Sequence, residues 1–270
     1  MTQISELITE FLSTIEAESS VNTLKAYKSD LNYLKINFDK LSEITEEKLK
    51  DIRVKLIENY SEKTIARRWS AWREFFRFCQ LRGEIKNNPI FSVHVDPSNR
   101  LRVLNQDLNQ ESLEAICNAS SRFRDRALLW FMYSTGARPS ELFAYGYFKY
   151  LNMAAREFYI DGRTTFLSQQ AFSSLEEYFK ERETIVGSKA PGLNDPIFIN
   201  DKGEPLKEMF VYTLFTQTAK MLGFNLNVGA LRDSLMMRLY KSGASPEELK
   251  YVLGFKSVKS IEPLLRLELK

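Results

Sequence analysis

The run from Ser61 to Arg82 constrains this 270-residue chain more tightly than any other. Ile65, Trp69, Trp72, Phe76 and Cys79 recur at 4-3-4-3 spacing. That spacing puts their side chains on one stripe of an α-helix and is incompatible with a strand, whose side chains alternate. At roughly 100° per residue, Lys63, Arg67, Ser70 and Arg77 fall on the opposite face, with Glu74 among them. The whole chain carries a net charge of only +3, so overall charge does not argue for a nucleic-acid partner. Residues 61–86, however, hold seven basic groups against three acidic ones. A helix that packs by its aromatic stripe can offer such cations to phosphates, Arg67 and Arg68 near the cap-like Ser61 included. The plainer alternative is a core helix with a solvated charged back.

Helical periodicity recurs along most of the chain, which makes it mainly α. Ile4–Glu16 is amphipathic, Asn22 is the expected N-cap of a helix over Thr23–Phe38, and Thr45 caps a third helix reaching Glu58. Gly83 and Asn88-Pro89 close this first unit. Residues 90–105 lack helical periodicity and contain Pro97, Ser98 and Asn99, so a linker is expected at 93–105. It separates a domain over 1–92 from one over 106–270. The second domain begins with helices over Gln110–Ala119 and Phe123–Ser134. Asp161-Gly162 then marks a β-hairpin between Arg156–Ile160 and Thr164–Leu167. A helix over Gln170–Arg182, a short strand at Ile197–Asn200 and a helix over Glu208–Leu222 follow. Leu231, Leu235, Met236 and Leu239 give a further helix its buried face. Ser245-Pro246-Glu247-Glu248 opens the next, and Gly254 ends it.

Apolar runs fall far short of the ~18 residues of a membrane span, and the acidic start carries no secretory pattern. The expectation is a cytoplasmic protein with free thiols at Cys79 and Cys117. The sole histidine, His94, has no partner at metal-ligand spacing, so neither metal nor cofactor is expected.

Chemistry concentrates in two stretches. In STGARPSEL (134–142), Gly136 suits a turn of positive φ and Pro139 the first turn of a helix. Arg138 stands just before that helix, where its side chain and backbone N–H could face an anion, or where it could simply pair with Glu141. The other stretch is Val228–Lys270. Taken with Thr135-Gly136-x-Arg138-x-x-Glu141-Leu142, its Leu231-Arg232 and Leu253-Gly254 resemble the catalytic domain of the tyrosine recombinases, the phage-integrase and Xer family. Residues 20–31 and 61–89 resemble that family's four-helix SAM-like core-binding domain. The resemblance implies a two-domain clamp on double-stranded DNA, with a small antiparallel sheet in the catalytic-type domain. Arg138 and Arg232 stand where the family's two phosphate-gripping arginines belong. The family's two histidines of the His-x-Leu-Arg-His box correspond to Gly229 and Asp233, its Leu-Gly-His histidine to Phe255, and its tyrosine nucleophile to Leu264. The hairpin lysine has no counterpart, since no Lys lies between Lys149 and Lys180. Arg156 or Arg163 could touch a phosphate there, but arginine is a poor proton donor.

The resemblance thus implies a duplex-DNA-binding scaffold without strand cleavage, acting in or regulating DNA recombination or integration. Its phosphate contacts would come from Arg138, Arg232, Lys63, Arg67, Arg68, Arg77, Lys25, Lys28 and Lys256. The apolar tail Ile261, Leu264, Leu265 and Leu267 could dock in a second copy or a related recombinase. Two other readings stand beside it. One is an active recombinase using a different nucleophile, such as Ser257 or Ser260. The other is a protein-interaction scaffold that no longer binds DNA. For Arg232 the structural alternative is a buried guanidinium paired with Asp233 or another acid.

Overall fold

The computed structural model describes residues 3–17, 19, 21–90 and 109–261. The chain divides into two compact units, Met1–Val103 and Leu104–Lys270. The expected linker and His94 lie outside the described residues, as do Leu264, Leu265 and Leu267 of the tail.

The first unit is a helical bundle of α1 (Ile4–Glu16), α2 (Val21–Asn37), α3 (Glu46–Asn59) and α4 (Glu62–Leu81). Local capping fixes two of the starts. Thr45 accepts from the Lys48 backbone N–H and Ser61 from that of Thr64, each satisfying a donor the first turn leaves open. Asn22 does not act as a cap, because α2 begins one residue before it. The stripe of α4 is buried as its spacing requires, and Phe75 joins it. Around it pack Ile4, Leu7 and Phe11 of α1, Leu31 and Leu34 of α2, and Leu49, Ile52 and Leu56 of α3.

The second unit is organised around α6 (Phe123–Thr135), whose residues from Ala127 to Tyr133 are all buried. A helix apolar all round must be covered on every side. Here α5 (Gln110–Asn118), α8 (Gln169–Val186) and α10 (Gly229–Lys241) pack against it. The unit also contains α7 (Pro139–Tyr145), α9 (Glu208–Met221) and α11 (Pro246–Leu253). One antiparallel sheet runs in the order β1 (Leu151–Asn152), β2 (Glu157–Ile160), β3 (Arg163–Phe166). Asp161 and Gly162 both take positive φ (45° and 75°), the geometry of a two-residue hairpin. The strand β1 has no counterpart in the sequence reading. Conversely, Ile197–Asn200 is not a strand: Tyr147 bridges to Pro196 and Ile199 to Pro205 as isolated pairs. Ile197, Phe198 and Ile199 are all buried, so the segment is an irregular core insert with no alternating face. Its backbone groups find partners singly, Ile199 donating to the Tyr178 hydroxyl at 3.0 Å. Among the described residues no helix is long and apolar enough to cross a membrane.

Candidate functional site

Three turns of the second unit converge. The first is the end of α6, where Gly136 adopts φ 63°. A Cβ there would lie 2.8 Å from Leu235 Cδ2 and 2.9 Å from Leu253 Cδ2, so α10 and α11 pack directly onto the glycine. The second is the end of α11, where Gly254 takes φ 59°. A Cβ at Gly254 would stand 2.6 Å from the Arg163 guanidinium. The third is the start of β3, which supplies Arg163.

Arg232, on the first turn of α10, is buried. It donates to the Gly136 carbonyl at 2.7 Å and to the Leu253 carbonyl, tying the two glycine turns together. It does not pair with Asp233: among the described residues Arg232 forms no ion pair, and its Nη1 and Nη2 each donate to one carbonyl. Arg138 reaches the same place from the α6–α7 turn. Its side chain, 40% exposed, donates to Glu141 at 2.6 Å and to the Gly254 carbonyl at 3.3 Å. Its backbone N–H does not face outward as expected, because Glu141 accepts it at 2.7 Å. Both guanidinium groups lie over the ring of Phe255, Arg232 at 4.7 Å and Arg138 at 6.0 Å from its centroid. Folding therefore brings the two arginines together from far apart in sequence.

Glu141 is the only carboxylate in ion-pair contact with this cluster among the described residues. It also accepts from Arg163 at 2.9 Å. Burial would raise its carboxyl, but the Arg163 hydrogen bond, the Arg138 backbone N–H and both charges hold it below the usual range. Arg163 is buried and spends its Nε on the Val252 carbonyl at 3.0 Å, so it serves as a brace and does not reach a ligand. The residue types of β3 did not announce its burial, since Arg163 and Thr165 face inward opposite Ile160 and Phe158 while the apolar Phe166 is exposed. Arg156 is exposed and lies over Phe172, 4.6 Å from its centroid.

Three arginines around one glutamate leave the cluster with excess positive charge. Burial first and the neighbouring Arg138 second lower the Arg232 pKa to about 10, still charged at neutral pH. Asp233 does not supply the missing negative charge by contact. Burial raises its carboxyl to about 6, with Arg232 opposing. Gly229 opens α10, its N–H donating to Asn227 Oδ1 at 2.9 Å. Ser257 is engaged as a cap, accepting from the Lys259 N–H at 3.2 Å. Among the described residues no group of His, Cys, Asp and Glu is placed to hold a metal ion.

In the first unit, Lys63, Arg67, Ser70, Glu74 and Arg77 form one exposed row on α4. Arg67 is also tied to Asp30 of α2, and Arg77 lies 3.8 Å from Glu74. Arg68 departs from its expected role. It is buried between the rings of Tyr33 and Tyr60, 4.7 and 4.4 Å from their centroids, and lies 3.5 Å from Asp30. The signal was its position three after Ile65 and four before Trp72, inside the apolar stripe. Lys25 and Lys28 are exposed on α2, but Lys28 lines the groove against Ser5, Thr9 and Leu12 of α1, away from the side of Ala26 and Asp30 that meets Arg67. Lys256 is exposed just beyond Phe255.

Residues 102–263 match the phage integrase family, and residues 8–83 match that family's N-terminal SAM-like domain. The chain belongs to the phage integrase family. Among its relatives, the tyrosine recombinase XerC of Thermodesulfovibrio yellowstonii is 28% identical over 100% of this chain and 94% of its own length. The tyrosine recombinase XerD of Listeria monocytogenes is 24% identical over 96% and 93%. The fold matches that of the Tn1549 transposon integrase in complex with transposon right end DNA (TM-score 0.76, 17% identity, covering 99% of this chain and 98% of that one). It also matches a lambda integrase dimer bound to a COC′ core site (TM-score 0.75, 18% identity, 97% and 95%).

Proposed function

We propose that this integrase-family chain binds duplex DNA through its phosphates, with Arg138 and Arg232 gripping one phosphodiester, and that it does not cut the strand it holds. It acts in, or regulates, DNA recombination or integration. The observation that carries this reading is the excess positive charge around Phe255, where Arg138 stands close enough to Arg232 to oppose its charge and three arginines share a single glutamate by contact. A phosphodiester is the counter-charge such a site lacks, and charge-assisted contacts of this kind contribute roughly 1.5–3 kcal/mol each. Arg163 and Arg68 are left out of the proposed contact set because each is buried beside a carboxylate of the protein, Arg163 with Glu141 and Arg68 with Asp30. Lys63, Arg67, Arg77, Lys25, Lys28 and Lys256 remain in it as exposed cations.

The reading of no cleavage rests on residue types. A covalent phosphoryl intermediate needs a hydroxyl or thiol nucleophile beside the phosphate and a group to move its proton. Gly229, Phe255 and Leu264 offer neither, and Asp233 has only a carboxyl beside Arg232.

The test is a titration of the full chain with duplex DNA over a salt series, together with a nicked-duplex trap resolved under denaturing conditions. Affinity is expected to fall steeply with salt. Arg138→Ala and the more conservative Arg232→Lys are expected to weaken binding, the former lowering the salt slope by about 1, with no covalent adduct. Absence of binding at low salt, or a stable adduct, refutes the proposal.

A further inference from the structure

Two guanidinium groups held beside one another repel, and the structure gives them little anionic compensation. Glu141 is shared with Arg163, and Arg232 has no ion-pair partner among the described residues. Three carbonyl oxygens, those of Gly136, Leu253 and Gly254, take donors from the pair. The remaining partner common to both arginines is the Phe255 ring.

We infer that Phe255 is a positioning residue for the anion site, its ring face holding the two guanidinium groups in place without competing for their N–H donors. The face of an aromatic ring carries negative potential and attracts a cation lying over it. A ring beneath a guanidinium offers no lone pair to its N–H groups, so the contact leaves those donors to carbonyls and to a phosphate. A carboxylate at position 255 would attract the arginines more strongly but would rival the phosphate for those donors. An aliphatic side chain would fill the space and lack the negative face.

The ring is itself well anchored. The left-handed turn at Gly254 lets the Phe255 N–H donate back to the Lys250 carbonyl at 2.9 Å, the hydrogen bond that closes such a helix end. The side chain packs against the cluster of Met236, Leu249, Leu253 and Ile261. Arg163 braces the same turn through the Val252 carbonyl. The platform is therefore rigid on the element that also supplies the Leu253 and Gly254 carbonyls.

This inference rests on the reading that the site takes a phosphate, and the experiment separates the two. Duplex affinity at one low salt concentration is measured for the unsubstituted chain, Phe255→Leu, Phe255→Tyr, Arg138→Ala and the Phe255→Leu/Arg138→Ala pair, with thermal melting as the folding control. Incorporating pentafluorophenylalanine at 255 preserves the ring's shape and removes its negative face, which covers the case of a poorly folded leucine variant. The leucine and pentafluoro variants are expected to lose about 3- to 30-fold in affinity, and Phe255→Tyr to bind like the unsubstituted chain. The double variant should lose less than the sum of its single losses, because both changes act on one contact. Full affinity in the pentafluoro variant, or losses that simply add, overturns the inference while Arg138→Ala still reports on the phosphate. Failure of the unsubstituted chain to bind duplex overturns both.

Discussion

Asp233→Asn offers a sharp test of the electrostatics around Arg232. The Asp233 carboxyl is raised from an ordinary 3.8 to about 6 because burial penalises its charged form more than Arg232 favours it. Between those two values the folded chain binds more protons at this site than the unfolded chain does. The stability contribution of this group therefore falls as pH rises through that window, and above it the folded state carries the full cost of an ionised, half-buried carboxylate. A shift of about two units at ~1.4 kcal/mol each gives about 3 kcal/mol, which residual solvent screening brings to about 2 kcal/mol. Asparagine keeps the shape and never ionises. Urea unfolding at pH 4, 5, 6 and 7.5, followed by Trp130 in a background of Trp69→Phe and Trp72→Phe, isolates the second unit. Asp233→Asn is expected to stabilise it by about 2 kcal/mol at pH 7.5, with the gain fading below pH 6 and gone near pH 4. A difference between the two proteins that does not change with pH would falsify this account of Asp233.

Gly136→Ala should destabilise the second unit by about 2–4 kcal/mol, since it adds a left-handed backbone penalty to overpacking against Leu235 and Leu253; chemical unfolding checks it. Arg163→Met removes a buried partner of Glu141 and should cost about 3–5 kcal/mol in the same assay. Lys63→Glu and Arg77→Glu should weaken duplex binding alike for unrelated sequences and flatten its salt dependence, read by fluorescence anisotropy. Arg68→Met should alter the melting temperature of the first unit and leave the salt slope unchanged, because its guanidinium is enclosed by Tyr33, Tyr60 and Asp30.

What the sequence alone determined was governed by neighbours a few residues apart. The stripe of α4, the caps at Thr45, Ser61 and Ser245, the glycine stops at Gly136 and Gly254, and the Asp161-Gly162 hairpin all depend on interactions within one or two turns, so they could be read directly. Tertiary structure decided which charged groups are available. Arg67 and Arg68 are adjacent in sequence, yet one helical step points Arg67 toward solvent and Arg68 between rings contributed by α2 and the end of α3. Arg138 and Arg232 become partners only because α10 and α11 close on Gly136, and Arg163 joins them only because β3 runs behind the Gly254 turn. Those encounters cost chain entropy that no local pattern reports. The packing that repays it comes from residues scattered across the whole second unit.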